Sequence, residues 1–554
     1  MTFGQRHSPS GGHILLIAAF AVVVGLSGLL TVPPLDRDES RFIQATTQMI
    51  ETGDYVRINF QETERNKKPV GIYWLQAASV QAFADIEDRP LWAFRLPSLI
   101  GATLAAIFTY VAGCALFGRR AGFLAGVLIA AAPVVAGEAS IAKTDATLLA
   151  CVCGMQAALA WIFTAPAGAK VSLRTQIAFW AAIGAGILIK GPIAPMIGAF
   201  TVIGMWLWRR QTGAETQLLR RLNVPLGLMI VLAIVLPWLV AIGIVTDGRF
   251  FAEAVGKDML GKVTSEQERH GGPIGYHFIA LWVMFWPAAL FIPAAFRHQV
   301  PRWREGAVAF CLAWVVPSWA IFELTSTKLP HYPMVLYPGI ALLIGALLNT
   351  GAERSYPIFR WAGAIVYTIV GIAAAVGVVY LARIYSSDGI NAWHFAGASV
   401  VIGATLAAGY LWLRSKGVSA LTMATLASGV LAWGAFEGVL PTLDRLALTP
   451  RLAQMLDDYE AHPLRDDKGA VALVGYHEPS AVFVLGTDTK LFTAREAAVW
   501  IVAGEGRAVV IEARAIDEFL AALPGRVQAQ AIASIEGFNY SNSTDMRLVL
   551  YRLE

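Results

Sequence analysis

The sequence predicts a polytopic α-helical membrane protein, with interfacial helices in its first long loop and a small α/β domain at its C-terminal end. Three observations carry this expectation. Hydrophobic residues make up 56% of the 554 and charged residues only 15%, against about a quarter charged in soluble proteins. Apolar runs of about eighteen or more residues, each able to cross about 30 Å of hydrocarbon as a helix, recur along residues 1–440. From residue 441 to 554 they give way to short strand and helix patterns.

Taken in order, the runs number about thirteen and start near residues 13, 91, 121, 146, 176, 193, 224, 275, 305, 332, 358, 394 and 418. The first follows Arg6 and His7 and lacks a small-residue cleavage site, so it is expected to stay in the protein as a span. Alternate loops hold the basic residues: Arg119 and Arg120, Arg209 and Arg210, Arg297 and Arg302, Arg414 and Lys416. Cytoplasmic loops concentrate Lys and Arg, so the N-terminus is expected inside and the intervening loops outside. Cys114, Cys151, Cys153 and Cys311 all fall within apolar runs, which excludes a disulfide framework. A net charge of +4 gives no footprint for nucleic acid.

The first outer loop, residues 33–90, opens with "PPLDRDESRF". After Asp38 the pattern is helical, with Phe42, Ile43, Thr46 and Ile50 at three- or four-residue spacing and Gly53 as the stop. This predicts an amphipathic helix lying on the membrane surface. Asp38 or Ser40 would cap it, since acids near a helix N-terminus complement its dipole; spacing alone leaves capping and catalysis both open for Asp38. "NKKPVGIYWLQ" follows, with Lys67 and Lys68 ahead of Pro69 and a second interfacial helix carrying Tyr73 and Trp74. The lysines suit either lipid headgroups or a phosphate ligand.

Further outer loops hold "AKTDATLL", with Lys143 and Asp145 at the mouth of a span, and "STKLPHYP", with Lys328, His331 and Tyr332. "ERHGGP" places Arg269 and His270 in a Gly-rich loop, and residues 255–275 are a candidate gate. Ionisable residues at membrane depth are costly and are paired or functional. In the C-terminal part "VALVGY" (471–476), "AVVIEA" (508–513) and "RLVLYRL" (547–553) predict strands, and "AREAAVWIVAGE" and "IDEFLAAL" predict helices. No phosphate loop or metal-ligand spacing occurs there, so this domain is expected to be structural or a lid, on the outer face.

A D-E-x-R-[YF] opening of the first outer loop, supplied here by "DESRF", followed by the K-P and Y-W of "KKPVGIYWLQ", resembles the GT-C membrane glycosyltransferases of the aminoarabinose transferase and protein O-mannosyltransferase type. "RLPS" (95–98), "TDATL" around Asp145, "KGP" (190–192) and "KLPHYP" (328–333) are also similar to that family, in the family's order. The resemblance implies a GT-C fold in the bacterial inner membrane. It implies an inverting enzyme, a pentosyl- or hexosyltransferase, that moves a sugar from a polyprenyl phosphate donor to lipid A or a related glycolipid at the periplasmic face. It makes Asp38 and Asp145 the catalytic carboxylates. Lys68 becomes the main cation for the departing phosphate, with Arg269, Tyr332, Lys328, Arg41 and Tyr73 as donor-binding residues. Glu39, Lys67, His270, His331 and Lys143 are further candidates, and the chain is expected to act as a monomer.

One departure from the family's pattern stands at Lys67, where an acidic residue would contribute to a metal site with a later histidine. An ammonium there repels a cation, so no metal or other cofactor is assigned, and an acidic sugar such as a uronic acid competes with aminoarabinose as the cargo. Alternatives are a protein or glycan acceptor within the same fold, or a transporter of a lipid-linked sugar. The transporter would call for internal repeats and charges near the bilayer midplane, and neither is seen.

Overall fold

A computed structural model describes residues 7–166, 168–213, 218–259, 261, 271–465, 469–506 and 508–553. All thirteen apolar runs are helical, but they are not thirteen equal spans. Among the described residues eight helices are long and apolar enough to cross a membrane, nine if one bent pair is counted as a span. That pair is α5 (Arg119–Ala130) and α6 (Pro133–Ala139), bent by 61°. Pro133 sits in the first turn of α6, where it lacks the N–H that would continue α5 and biases the residue before it away from helical geometry. The run near 275 is broken in the same way into Tyr276–Met284, Trp286–Ala289 and Ile292–Gln299, the last two opening on a proline. The first helix, α1 (Gly11–Gly25), has only 15 residues.

The first long loop contains α2 (Asp38–Thr52), a hairpin of β1 (Asn59–Phe60) and β2 (Thr63–Glu64), and α3 (Gly71–Phe83). Gly53 ends α2 in the left-handed conformation, φ 69°, which glycine adopts without strain. The surface-lying amphipathic helix is corrected in one respect: nearly the whole of α2 from Glu39 to Met49 is buried, enclosed by α3 and the C-terminal domain.

The long helices α4 (Leu91–Leu116), α7 (Asp145–Phe163), α8 (Leu173–Lys190) and α9 (Ile193–Thr212) pack behind this loop. Small residues bring backbones together where lipid offers no hydrophobic drive for helix association. A Cβ on Gly113 of α4 would collide with the Cα of Gly122 in α5, and one on Gly71 would lie 2.8 Å from the Leu188 carbonyl oxygen of α8. Gly113→Val is therefore expected to cost about 1–3 kcal/mol by overpacking, read as a lowered melting temperature in detergent.

The C-terminal domain is a five-stranded sheet in the order β4-β3-β5-β7-β6, from β3 (Ala472–Val474), β4 (Lys490–Phe492), β5 (Val509–Glu512), β6 (Ala529–Asn539) and β7 (Thr544–Leu553). β3 is parallel to β4 and β5, and β7 runs antiparallel to β5 and β6. The predicted strands correspond to β3, β5 and β7, and the predicted helices to Ala494–Val502, closed by a Thr493–Glu496 capping box, and Ile516–Ala522. β4 and β6 were not expected, because "KLF" is too short and "AQAIASIEGFN" too polar to read as strands. The domain docks on the first long loop, with Phe483 in an apolar cluster with Ile43, Val80 and Phe94.

Candidate active site

Asp38 is the first residue of α2, and no side chain caps the helix there. Its neighbours instead tie the helix start to the chain before it. The Leu35 N–H donates to Glu39 Oε2 at 2.9 Å, and Ser40 Oγ donates to the Leu35 carbonyl at 2.7 Å. Asp38 is left exposed. The burial of its surroundings would raise its pKa, but the nearby cations Lys143, Arg65, Arg41 and Lys190 outweigh that and hold the carboxyl below its usual range.

The second carboxylate, Asp145, opens α7 and is buried. Its Oδ1 accepts from Lys190 Nζ at 2.5 Å, and His331 Nε2 lies 3.6 Å from the same oxygen. Lys190 ends α8, and its Nζ is 5.6 Å from the centroid of the Tyr332 ring. The His331 ring meets Tyr332 edge to face at 5.3 Å. Burial lowers the His331 pKa against the pull of Asp145 and Glu138. Lys143 Nζ donates to Glu138 Oε1 at 3.2 Å. Burial works against its charge, but Glu138, Asp145 and Asp38 more than compensate and raise its pKa, keeping it an ammonium.

The loop carrying Lys143 is held by buried side chains from three elements. The Ala142 N–H donates to Glu39 Oε1 at 2.7 Å, its carbonyl accepts from Gln76 Nε2 at 3.1 Å, and the Lys143 carbonyl accepts from Ser98 Oγ at 3.3 Å. Glu39 in turn pairs with Arg95 (2.8 and 2.9 Å), both side chains being fully buried. Arg95 also donates to the carbonyls of Gly28, Leu29, Val32 and Pro33. Glu39 thus anchors the chain on either side of the site and does not face a ligand.

Asp38, Lys143, Asp145, His331 and Tyr332 come together, with Arg41 half-buried beside Asp38. Tyr73 does not present its hydroxyl to a ligand: it is fully buried and accepts from Arg65 Nη1 at 2.6 Å. Lys328 is also buried and donates to the Thr325 carbonyl at 2.8 Å. Lys67 is exposed and Lys68 half-buried, just before α3. Arg269 and His270, with residues 260 and 262–268 of the candidate gate, lie outside the described residues. Among the described residues no three His, Cys, Asp or Glu side chains converge as a metal-ligand set. Lys190 stands out in the sequence only as the start of "KGP", with no role assigned, and Arg65 is not singled out from it. Arg65 stands two residues before "KKP", with its guanidinium 4.7 Å over the Phe42 ring, and nothing local distinguishes it from the other charges of that loop.

Known proteins resemble the chain in sequence and fold. Residues 67–240 match the family model described as dolichyl-phosphate-mannose-protein mannosyltransferase. An undecaprenyl phosphate-α-4-amino-4-deoxy-L-arabinose arabinosyl transferase of Pseudomonas fluorescens is 25% identical over 349 residues, 62% of this chain and 57% of the relative, so the chain spans less than two thirds of that relative's length. A transferase of the same description from Pseudomonas paraeruginosa is 24% identical over 83% of this chain and 82% of its own. The crystal structure of ArnT from Cupriavidus metallidurans bound to undecaprenyl phosphate superposes with a TM-score of 0.77 at 19% identity, covering 98% of each chain. By fold, partial family-model match and relatives, the chain is similar to the ArnT-like GT-C membrane glycosyltransferases.

Proposed function

We propose that the protein transfers a sugar from a polyprenyl phosphate, of the undecaprenyl type, to lipid A or a related glycolipid at the periplasmic face of the inner membrane. The observation that carries this proposal is the pair of carboxylates, Asp38 exposed and uncapped and Asp145 tied to Lys190, set among Lys143, Arg65 and Arg41. Breaking the bond between the anomeric carbon and the phosphate oxygen leaves the electron pair on polyprenyl phosphate, and preorganised cations stabilise that charge. Lys68, at the start of α3, is assigned to the leaving phosphate, assisted by Arg41, Tyr332 and Arg269. The acceptor oxygen bonds the anomeric carbon from the opposite face, which inverts it. Asp38 orients the acceptor, takes its proton where it is a hydroxyl, and faces the positive charge that builds on the sugar ring. Asp145, with Lys190 and His331, holds the acceptor side. The periplasmic assignment is supported by the concentration of Lys and Arg in the opposite set of loops.

The match of residues 67–240 to the protein mannosyltransferase family model favours a protein hydroxyl as the second reading of the acceptor. One assay addresses both. Purified protein is given total polar lipid of a bacterium that makes undecaprenyl phosphate sugars, together with lipid A or a Ser/Thr peptide. A mass-shifted lipid A that disappears in Lys68→Ala and Asp145→Asn supports the proposal, and the added mass names the sugar. A mass-shifted peptide with unchanged lipid A would replace the acceptor, and no product on either would reject transfer.

A further inference from the structure

The backbone around Asp38 is gripped from two directions. On its C-terminal side Glu39 is locked by the buried Arg95. On its N-terminal side the grip comes from the C-terminal domain, more than 400 residues away in sequence. The Asp36 N–H donates to the Tyr540 hydroxyl at 2.7 Å, and Asp36 Oδ1 accepts from the Ser480 N–H at 3.0 Å. Arg37 Nε lies 3.9 Å from Glu478 Oε2, while Glu478 Oε1 accepts from Asn539 Nδ2 at 2.9 Å. Behind these, Ser480 Oγ and the Tyr476 hydroxyl both bond Thr449 Oγ1, at 2.6 and 2.8 Å. Asp38, two residues from Asp36, stays exposed while the chain on either side is pinned.

We infer that the C-terminal domain is part of the catalytic apparatus, with Tyr540, Ser480 and Asp36 acting as positioning residues that set the start of α2 and so aim the Asp38 carboxylate. The inference rests on the proposed role of Asp38. A shift of about 1 Å in a reacting group costs about a hundredfold in rate, so a loosened clamp lowers kcat while leaving the cations that bind the donor in place.

The clamp also has a pH signature. Glu478, Tyr476 and Tyr540 of the C-terminal domain and the neighbouring Arg37 face Asp36. Burial, with Glu478 adding to it against the Ser480 hydrogen bonds and Arg37, pushes the Asp36 carboxyl up to about 7 from the ordinary 3.8. An acid raised in the folded state contributes stability that is fully present below its unfolded pKa and is lost as pH rises through the folded one. The clamp is therefore tightest with Asp36 protonated and loosens as pH rises through about 7.

The test compares wild type with Tyr540→Phe, Asp36→Ala and the conservative Asp36→Asn in the full chain, by amide hydrogen exchange over residues 35–42 and by the transfer assay. Exchange there, corrected for its intrinsic pH dependence, is expected to rise at least about tenfold in Tyr540→Phe and Asp36→Ala. In Asp36→Asn it should stay slow and lose its dependence on pH. The first two should lose kcat at unchanged KM for the donor, and Asp36→Asn should restore it. Unchanged exchange and unchanged kcat in both disruptive variants would overturn the inference, as would a uniform rise in exchange over the whole C-terminal domain that Asp36→Asn fails to reverse. If wild type transfers no sugar, the proposed function fails by itself, and the exchange data still decide whether the clamp exists.

Discussion

Asp38→Asn is expected to lower kcat roughly a hundred- to ten-thousand-fold, the range that a positioned acid or base contributes, with only a small fall in melting temperature from the lost attraction to the neighbouring cations. The start of α2 should stay in place in the variant, because the Glu39 and Ser40 hydrogen bonds to Leu35 do not involve Asp38. The surrounding Lys143, Arg65, Arg41 and Lys190 keep the carboxyl below its usual range against the effect of burial. A depressed pKa gives a charge that is present above the unfolded value and lost only as pH falls through the folded one. Asp38 should therefore impose no acid limb on kcat/KM across about pH 5–8. Any inflection near 7 in that profile is assigned to Asp36 and should vanish in Asp36→Asn. An acid limb that disappears in Asp38→Asn would show that the cations do not hold Asp38 ionised. A wild-type rate in the variant would remove it from the mechanism.

The largest effect on stability is expected at Arg95. Both partners of the Arg95–Glu39 pair are fully buried, and removing one partner of such a pair leaves an uncompensated charge, at a cost of about 3–5 kcal/mol. Arg95→Met also removes the donor to the carbonyls of Leu29, Val32 and Pro33, and one of two donors to that of Gly28, in the stretch that joins α1 to the site loop. Glu39→Gln keeps an acceptor for the Ala142 N–H and should cost less. The double variant Arg95→Met/Glu39→Met should be more stable than Arg95→Met alone, because no charge is then left unpaired. Melting temperatures of the four proteins in one detergent measure this directly. A double variant that melts at or below the Arg95→Met temperature would show that carbonyl satisfaction, not the ion pair, holds the loop. The double variant should also lose activity beyond its loss of fold, since the Ala142 N–H that sets Lys143 is then released.

Much of the architecture was legible because its signals are local. Hydropathy marks the helices, Gly53 marks the end of α2, and a Thr493–Glu496 capping box opens a helix where "AREAAVW" suggests one. Proline at 133, 287 and 293 breaks runs that composition reads as continuous, so apolar runs overcount membrane-crossing helices. The site was legible in part. Asp38, Lys143, Asp145, His331 and Tyr332 stand out as ionisable or aromatic residues at the mouths of apolar runs, and they converge. Tyr73 and Glu39 carry the same kind of signal yet serve as internal struts, holding Arg65 and Arg95.

By itself the sequence determined a membrane-embedded helical body, a charged loop outside the first span and a terminal α/β domain, because helix periodicity, strand alternation and caps act over a few residues. Only the tertiary structure decided which charges neutralise one another. Lys190 meets Asp145 across 45 residues, Arg95 meets Glu39 across 56, and Tyr540 meets Asp36 across 504. The choice of partner depends on which helix ends packing brings together. In a low-dielectric interior that choice separates a strut from a group left open, since a buried charge must be paired, whereas Asp38, exposed among cations, is the carboxylate on which the proposed mechanism rests.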